Sequence, residues 1–219
     1  MPKCIDCSWL PHCEACAKDL VKHRKCSLRN CLAAAAEKWF PPEMVVDKNA
    51  IEIGPGVSRI LQRHCARRGY KWHGVDPRFD TNESRGCYKG IASKLPFPDG
   101  FFSLGLAFDT LEHWKECGDS EEGGIAELYR VIAKDGKLII SVPIHLHGAE
   151  RFIRGDTKEI LDLFSQEQWE LLAVDEFRKE YEPLPPETAW SEKDATLVLA
   201  NSKQPKPSAW TFVMVLKRR

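Results

Sequence analysis

The stretch IEIGPGVS, residues 51–58, places two glycines directly after a short apolar run. The run predicts a buried strand, and the glycines predict a tight turn into the helix that VSRILQRHCARRG favours. In a doubly wound sheet ligands lie beyond the carboxyl ends of the strands, so the first such turn makes the closest approach to a ligand. Gly54 and Gly56 permit a positive φ there with no Cβ in the way, although a turn without a ligand has the same pattern.

The rest of the chain continues the alternation that this turn begins. From residue 49 to about 143, short β-prone runs such as YKWHGVD and KLIISVP alternate with longer helix-prone runs. Such spacing predicts an α/β fold with a parallel sheet and helices on both faces. SAWTFVMVLKRR predicts a closing strand, and the breaker pair Pro41-Pro42 predicts a boundary between a module at 1–40 and a domain at 41–219.

Composition limits the function classes. The 219 residues carry 32 basic and 32 acidic side chains, so no net field attracts nucleic acid or an anionic membrane surface. No apolar run reaches the roughly 20 residues that cross a bilayer, and the N-terminus has no signal pattern. These features predict a cytoplasmic protein with no membrane association and no preference for nucleic acid.

The first 31 residues hold most of the cysteine. CIDCSWLPHCEAC contains two CxxC pairs, and thiolates spaced in this way chelate a metal ion. The predicted ligands are Cys4, Cys7, Cys13, Cys16, Cys26 and Cys31, with His12 and His23 as substitutes. Structural zinc is one prediction. The CxxCxxLPxCxxC arrangement is also similar to the iron-sulfur segment of SPASM-type auxiliary domains of radical S-adenosylmethionine enzymes, which implies a [4Fe-4S] cluster instead. Cys65, Cys87 and Cys117 are predicted to be small buried side chains.

Five ordered motifs together resemble class I S-adenosylmethionine-dependent methyltransferases. They are the glycine turn, WHGVD at 72–76, KLPFPDGFFSLGLAFDTLEHW at 94–114, ELYRVIAKDGKLIISVP at 127–143 and the closing strand. The resemblance covers residues 45–143 best. It implies a Rossmann-like, doubly wound, seven-stranded sheet whose last strand is antiparallel.

The resemblance also implies a cofactor site for S-adenosylmethionine. Glu52, Gly54 and Gly56 would hold the methionine end, and an acid at position 52 suits an ammonium group better than the pyrophosphate of NAD. Asp76, twenty residues after Gly56, would accept hydrogen bonds from the ribose hydroxyls. The remaining implied contacts are Pro77 and Arg78 flanking the adenine, Ile91 and Ala92 lining its pocket, and Phe108 and Asp109 beneath the methyl group.

Two positions depart from the family pattern. Ile91 stands where an acid often accepts a hydrogen bond from the adenine amino group, so that contact must come from backbone or water. Ser103 stands where an aspartate is usual, and the change is expected to alter local hydrogen bonding only.

Candidate catalytic residues follow the fourth and fifth predicted strands. His145 and His147, in PIHLHG, alternate on an extended segment and would present a base and a substrate contact, or two metal ligands, beside Asp109. The alternative is that both are loop residues on the rim of the cleft. His113 is expected to serve packing or hydrogen bonding. Arg151 and Arg154, with Asp156 nearby, would hold an anionic group of the acceptor or lie on a solvated surface.

These predictions combine into a methyltransferase for a small acceptor, such as a sugar or natural-product hydroxyl. Two alternatives remain open at this level. One is methylation of RNA or protein with the cysteine module as the reader. The other is a non-catalytic protein in which that module binds metal and a partner.

Overall fold

The computed structural model describes residues 33, 36–41, 48–144, 148–154, 157–181, 195–199 and 210–219. The strands are β1 (Asn49–Ile53), β2 (Lys71–Asp76), β3 (Cys87–Lys89), β4 (Phe102–Phe108), β5 (Ile132–Ile144), β6 (Trp169–Tyr181), β7 (Ala195–Leu199) and β8 (Trp210–Arg218). The α-helices are α1 (Ile60–Arg67), α2 (Glu121–Val131), α3 (Glu150–Arg154) and α4 (Thr157–Leu161), and 3₁₀ helices span Glu83–Arg85 and Leu111–Cys117.

The strands form one sheet in the order β3-β2-β1-β4-β5-β8-β6-β7. Strands β1 to β5 pair in parallel, whereas β8 is antiparallel to both β5 and β6. The predicted seven-stranded arrangement with an antiparallel closing strand is therefore present, and β7 extends it by pairing with β6 at the edge. The strand order reverses between β1 and β4, and this reversal opens a crevice at the carboxyl ends of the neighbouring strands.

Two hydrophobic clusters cover the two faces of the sheet. Alternation along each strand separates them, because successive side chains point to opposite faces. In β1, Ile51 and Ile53 join the cluster that packs beneath α2, α3 and α4. Ala50 joins the second cluster, beneath α1. The prediction of helices on both faces is confirmed, and it explains why the strands are apolar throughout.

The segment 36–41 packs on the α1 side of the sheet. Phe40 is buried in the second cluster, and Glu37 is buried beside α1. The Glu37 carboxylate accepts a hydrogen bond from Arg68 Nε at 2.8 Å and lies 2.9 Å from His64 Nδ1. Burial alone would raise the pKa of Glu37, but these two partners outweigh it and lower the pKa. The domain boundary predicted after residue 40 thus falls at the end of a segment that contacts the sheet.

A single arginine holds the LPFPDG loop in place. Arg130, at the end of α2, donates hydrogen bonds to the carbonyls of Phe97 at 2.8 Å and Leu95 at 3.2 Å. It also pairs with Asp99 at 2.7 Å, while the Glu127 carboxylate accepts the Leu95 N–H at 3.0 Å. The ELYR motif thus supplies the hydrogen-bond partners of the LPFPDG loop.

Three individual predictions can be compared with this fold. Ser103, where an aspartate was expected, donates a hydrogen bond from its hydroxyl to the Asn49 carbonyl at 3.4 Å, a local change. Cys65 and Cys87 are buried, as predicted. The same prediction is wrong for Cys117, because the 3₁₀ helix that carries it leaves the thiol exposed.

Candidate functional site

A cavity of about 620 Å³ lies at the carboxyl ends of β1, β2 and β4, at the point where the strand order reverses. Its volume falls in the range of pockets that enclose small-molecule ligands. All cofactor residues predicted from the sequence except Glu52 line it: Gly54, Gly56, Asp76, Pro77, Arg78, Ile91, Ala92, Phe108 and Asp109. Local sequence signals at four different strand ends therefore converge on one cavity.

The glycine turn forms the floor of this cavity. Gly54 and Gly56 have φ values of +66° and +57°, the left-handed region that side chains rarely adopt. A Cβ on Gly54 would lie 2.6 Å from the Thr110 Cγ2 atom, so there is no room for one. Thr110 itself is held by a hydrogen bond from its hydroxyl to the Ile53 carbonyl at 3.4 Å. The turn needs glycine both for its backbone angles and for its contact with the segment after β4.

Asp76 is hydrogen-bonded on both carboxylate oxygens. Oδ2 accepts the Gly56 N–H at 2.9 Å and Arg78 Nη2 at 3.1 Å. Oδ1 accepts the Arg78 N–H at 2.9 Å and Arg78 Nε at 3.0 Å. Burial alone would raise the pKa of Asp76, but the bonds from Arg78 and Gly56 outweigh it and lower the pKa. The carboxylate is thus ionised and aligned, and the Arg78 guanidinium covers it from the solvent side.

Asp109, at the end of β4, has a φ of +52°. Its N–H donates to the carbonyl and the hydroxyl oxygen of Ser141, both at 3.0 Å, and the Ser141 hydroxyl donates to Asp109 Oδ1 at 2.8 Å. Such backbone conformations persist in non-glycine residues only where the surroundings enforce them, and they concentrate at functional sites. Ser141 on the neighbouring strand β5 supplies that enforcement and fixes the carboxylate at the cavity wall.

The structure does not bring the Glu52 side chain into the cavity. Glu52 follows Ala50 on the α1 face of the sheet and is 1% exposed. Its carboxylate accepts a hydrogen bond from Trp72 Nε1 at 2.8 Å. The alternation of side chains along β1 places it there, since Ile51 and Ile53 occupy the other face. The role suggested for Glu52 at an ammonium group stays a prediction.

The 3₁₀ helix after β4 contributes residues that sequence reasoning did not assign to the site. Its segment adds Thr110, Trp114, Glu116, Cys117 and Asp119 to the cavity lining. His113, expected to serve hydrogen bonding, also lines the cavity and lies 2.9 Å from Glu116 through Nδ1. Their position in the sequence could have indicated this role, because the segment directly follows a strand whose carboxyl end borders the crevice.

Of the other polar residues predicted near the site, two form ion pairs and three lie outside the described residues. Arg151 lies 3.2 Å from the buried carboxylate of Glu121, and Arg154 donates to Glu159 at 2.9 Å. Both arginines are thereby engaged by carboxylates of α2 and α4, which disfavours a role in binding an anionic acceptor. His145, His147 and Asp156 lie outside the described residues.

The predicted metal site also lies outside the part of the chain that the structure describes, since all six cysteines precede residue 33. Within the described residues, no group of three or more His, Cys, Asp or Glu side chains is arranged to hold a metal ion. Among those same residues, no helix is long and apolar enough to cross a membrane.

Comparison with known proteins places this geometry in context. Residues 51–140 match the family profile of a methyltransferase domain. That range begins in β1 and ends within β5, so it contains every residue predicted at the cofactor site. Among curated protein sequences, none matches the chain.

Solved structures resemble the whole fold. The MccD protein aligns with a TM-score of 0.58 at 10% identity, covering 87% of this chain and 97% of its own. A Thermotoga maritima methyltransferase described as a possible histamine N-methyltransferase aligns at 0.52 and 20% identity, covering 96% and 98%. The Streptomyces coelicolor geranyl diphosphate C-methyltransferase, solved with S-adenosyl-L-homocysteine, aligns at 0.53 and 10% identity, covering 87% and 79%. At these identities the likeness concerns the fold.

Proposed function

We propose that this protein transfers a methyl group from S-adenosylmethionine to a small-molecule acceptor. The observation that carries the proposal is the convergence of Gly54, Gly56, Asp76 and Asp109 on one cavity at the strand-order reversal, within the range that matches a methyltransferase domain. Gly54, Gly56 and Asp109 have positive φ values, and the Asp76 carboxylate accepts four hydrogen bonds.

The residues present fit the cofactor. The glycine turn has the positive φ values that let its backbone line the cavity without a side chain. The carboxylate of Asp76 is ionised and suited to accept hydrogen bonds from ribose hydroxyls. The described lining carries four carboxylates, on Asp76, Asp109, Glu116 and Asp119, against the guanidinium of Arg78. An acidic cavity favours a cationic ligand, and S-adenosylmethionine has a sulfonium and an ammonium group.

When bound, the cofactor supplies a methyl group on an excellent leaving group, so the protein mainly has to orient the acceptor and exclude water. Phe108 is fully buried at the end of β4 and gives this part of the cavity an apolar wall. Asp109 would orient the acceptor or accept its proton through the carboxylate that Ser141 holds. His145 and His147 remain proposed as a base and a substrate contact.

The charge of the lining also bears on the acceptor. Because carboxylates outnumber cations around the described cavity, an acceptor with a phosphate or carboxylate would be repelled. Arg151 and Arg154, which would otherwise attract such groups, are engaged by glutamates. We therefore propose an uncharged or basic acceptor, with a sugar or natural-product hydroxyl as the leading class.

Calorimetry with S-adenosylhomocysteine tests the cofactor assignment on the full chain. We expect wild-type protein to bind at micromolar concentrations and Asp76→Asn to bind roughly tenfold or more weakly, because a charged hydrogen-bond acceptor is lost. Asp80→Asn, which alters an exposed aspartate next to the same segment, is the matched control and should bind as wild type does. Absence of wild-type binding would refute the proposed function.

For the cysteine-rich segment we propose a metal-bound module, with structural zinc or a [4Fe-4S] cluster as its metal. Metal analysis of anaerobically purified full-length protein separates these options, since a cluster absorbs visible light and zinc does not. Protein that contains neither zinc nor iron would exclude both.

A further inference from the structure

One acidic side chain of the cavity differs from the others in its partners. Asp119 lies between the 3₁₀ helix Leu111–Cys117 and α2, is half-buried and lines the cavity. Its Oδ1 accepts the Ser120 N–H at 2.8 Å, and the Ser93 N–H is shared between Oδ1 at 3.2 Å and Oδ2 at 3.1 Å. The carboxylate is thereby attached to the wall that Ile91 and Ala92 form.

The other carboxylates of the cavity have partners that limit them. Asp76 is paired with the Arg78 guanidinium, Glu116 lies against His113, and Asp109 accepts the Ser141 hydroxyl. For Asp119 the hydrogen bonds come from backbone N–H groups, in the part of the chain that the structure describes. A carboxylate has about four lone-pair sites, so acceptor capacity remains on an oxygen that the backbone has already oriented.

We propose that Asp119 determines the base specificity of the cofactor site by accepting a hydrogen bond from the 6-amino group of adenine. This inference rests on the proposed function. With the ribose at Asp76, the base extends toward the wall formed by Gly90, Ile91 and Ala92, which offers apolar side chains for stacking but no side-chain acceptor. Asp119 supplies that acceptor from a different segment. A base with an oxygen at position 6 would instead face a fixed negative charge.

The test compares two ligands on the full chain by calorimetry. They are S-adenosylhomocysteine and its inosine counterpart, in which an oxygen replaces the 6-amino group. Wild-type protein should prefer the adenine ligand by at least about tenfold, because sites built around a hydrogen bond reject analogues that cannot make it. Asp119→Asn should lose most of this preference, since an amide both donates and accepts. Glu116→Gln, which changes another acid of the same cavity, should retain the wild-type preference.

Each outcome decides the inference. If Asp119→Asn keeps the full preference, or weakens both ligands equally, Asp119 only supports the loop and the inference is wrong, while the proposed function stands. If wild-type protein binds neither ligand, the proposed function fails and the inference fails with it. Should the variant not fold, the purine analogue without a 6-substituent shows on wild-type protein whether the site binds the 6-amino group at all. Binding as tight as that of the adenine ligand would overturn the proposal.

Discussion

The Arg78 guanidinium donates hydrogen bonds to the Asp76 carboxylate, to which the ribose is proposed to bind. Replacing Arg78 should therefore strengthen cofactor binding. Asp76 is 1% exposed at its side chain and already accepts four hydrogen bonds, two of them from the Arg78 guanidinium. Ribose hydroxyls can reach these oxygens only if the guanidinium moves away. Arg78→Met retains most of the side-chain stem and removes the competing group.

The size of the effect follows from the exposure of the two partners. The Arg78 side chain is 76% exposed, so its guanidinium regains hydration readily when it leaves Asp76. Ion pairs with an exposed partner contribute about 0.2–1 kcal/mol. Removing the competitor should therefore tighten the dissociation constant by up to about fivefold, since 1.4 kcal/mol corresponds to a factor of ten. The loss of a positive charge from the cavity acts in the same direction for a cationic cofactor.

Calorimetric titration of S-adenosylhomocysteine measures this directly. Arg85→Met, which removes an exposed arginine on the nearby 3₁₀ turn, is the matched control and should leave the affinity unchanged. The sequence-based expectation that Arg78 flanks the adenine makes the opposite prediction. A tenfold larger dissociation constant for Arg78→Met would show that the guanidinium contacts the ligand. It would refute the argument that Arg78 competes with the ribose for Asp76.

Three further predictions concern stability and turnover. Gly54→Ala should cost at least about 2 kcal/mol more unfolding free energy in urea than Gly118→Ala, because both have a positive φ but only Gly54 lacks space for a Cβ. Ser141→Ala should lower the methyl-transfer rate more than it weakens S-adenosylhomocysteine binding, because it releases the Asp109 carboxylate, and Ser141→Thr should restore the rate. Burial, reinforced by Lys71, lowers the pKa of His73 to about 4, so the unfolded chain binds a proton that the folded protein excludes as pH falls below 6.5. The unfolding free energy of wild-type protein should therefore fall between pH 7 and pH 5, and in His73→Phe this decrease should be smaller by up to about 2 kcal/mol, as denaturant titrations at the two pH values would measure.

Each of these predictions has an outcome that contradicts it. Equal costs for the two glycine variants would mean that Thr110 moves aside without strain. A proportional loss of rate and affinity in Ser141→Ala would show that the serine serves the fold and has no separate effect on Asp109. An unchanged pH dependence in His73→Phe would show that the histidine becomes protonated in the folded protein, among the aromatic rings that surround it.

The parts of the fold that sequence reasoning predicted are those that local pattern determines. Apolar runs and glycines mark strand ends, and parallel pairing brings the carboxyl ends of strands together, so Gly54, Asp76 and Asp109 could be assigned to one crevice before the structure. The extra edge strand β7 was missed because its five residues follow a long Pro-rich stretch that dominates the local signal.

The direction of individual side chains was harder to predict, although one signal was overlooked. Glu52 and Ala50 share a face of β1 by simple alternation, so the Glu52 side chain could have been assigned to the α1 face. Its partner could not, because Trp72 lies on the neighbouring strand and the contact depends on strand register. Sequence proximity to a glycine turn therefore did not imply access to the cavity.

The contacts made by loops required the three-dimensional structure, and they determine the chemistry of the cavity most directly. The apolar Ile91 implied a missing acceptor at the adenine wall, a gap for which sequence reasoning offered only backbone or water. Asp119 meets that wall through the Ser93 N–H, although 26 residues separate the two in sequence. An acid can thus be lost at one position and its function taken over from another segment, provided that packing brings the second segment to the same wall. A carboxylate gained at position 91 should therefore compensate for one lost at position 119. In an Asp119→Ala background, Ile91→Asp should recover binding of the adenine ligand. Failure to recover it would place the base elsewhere in the cavity.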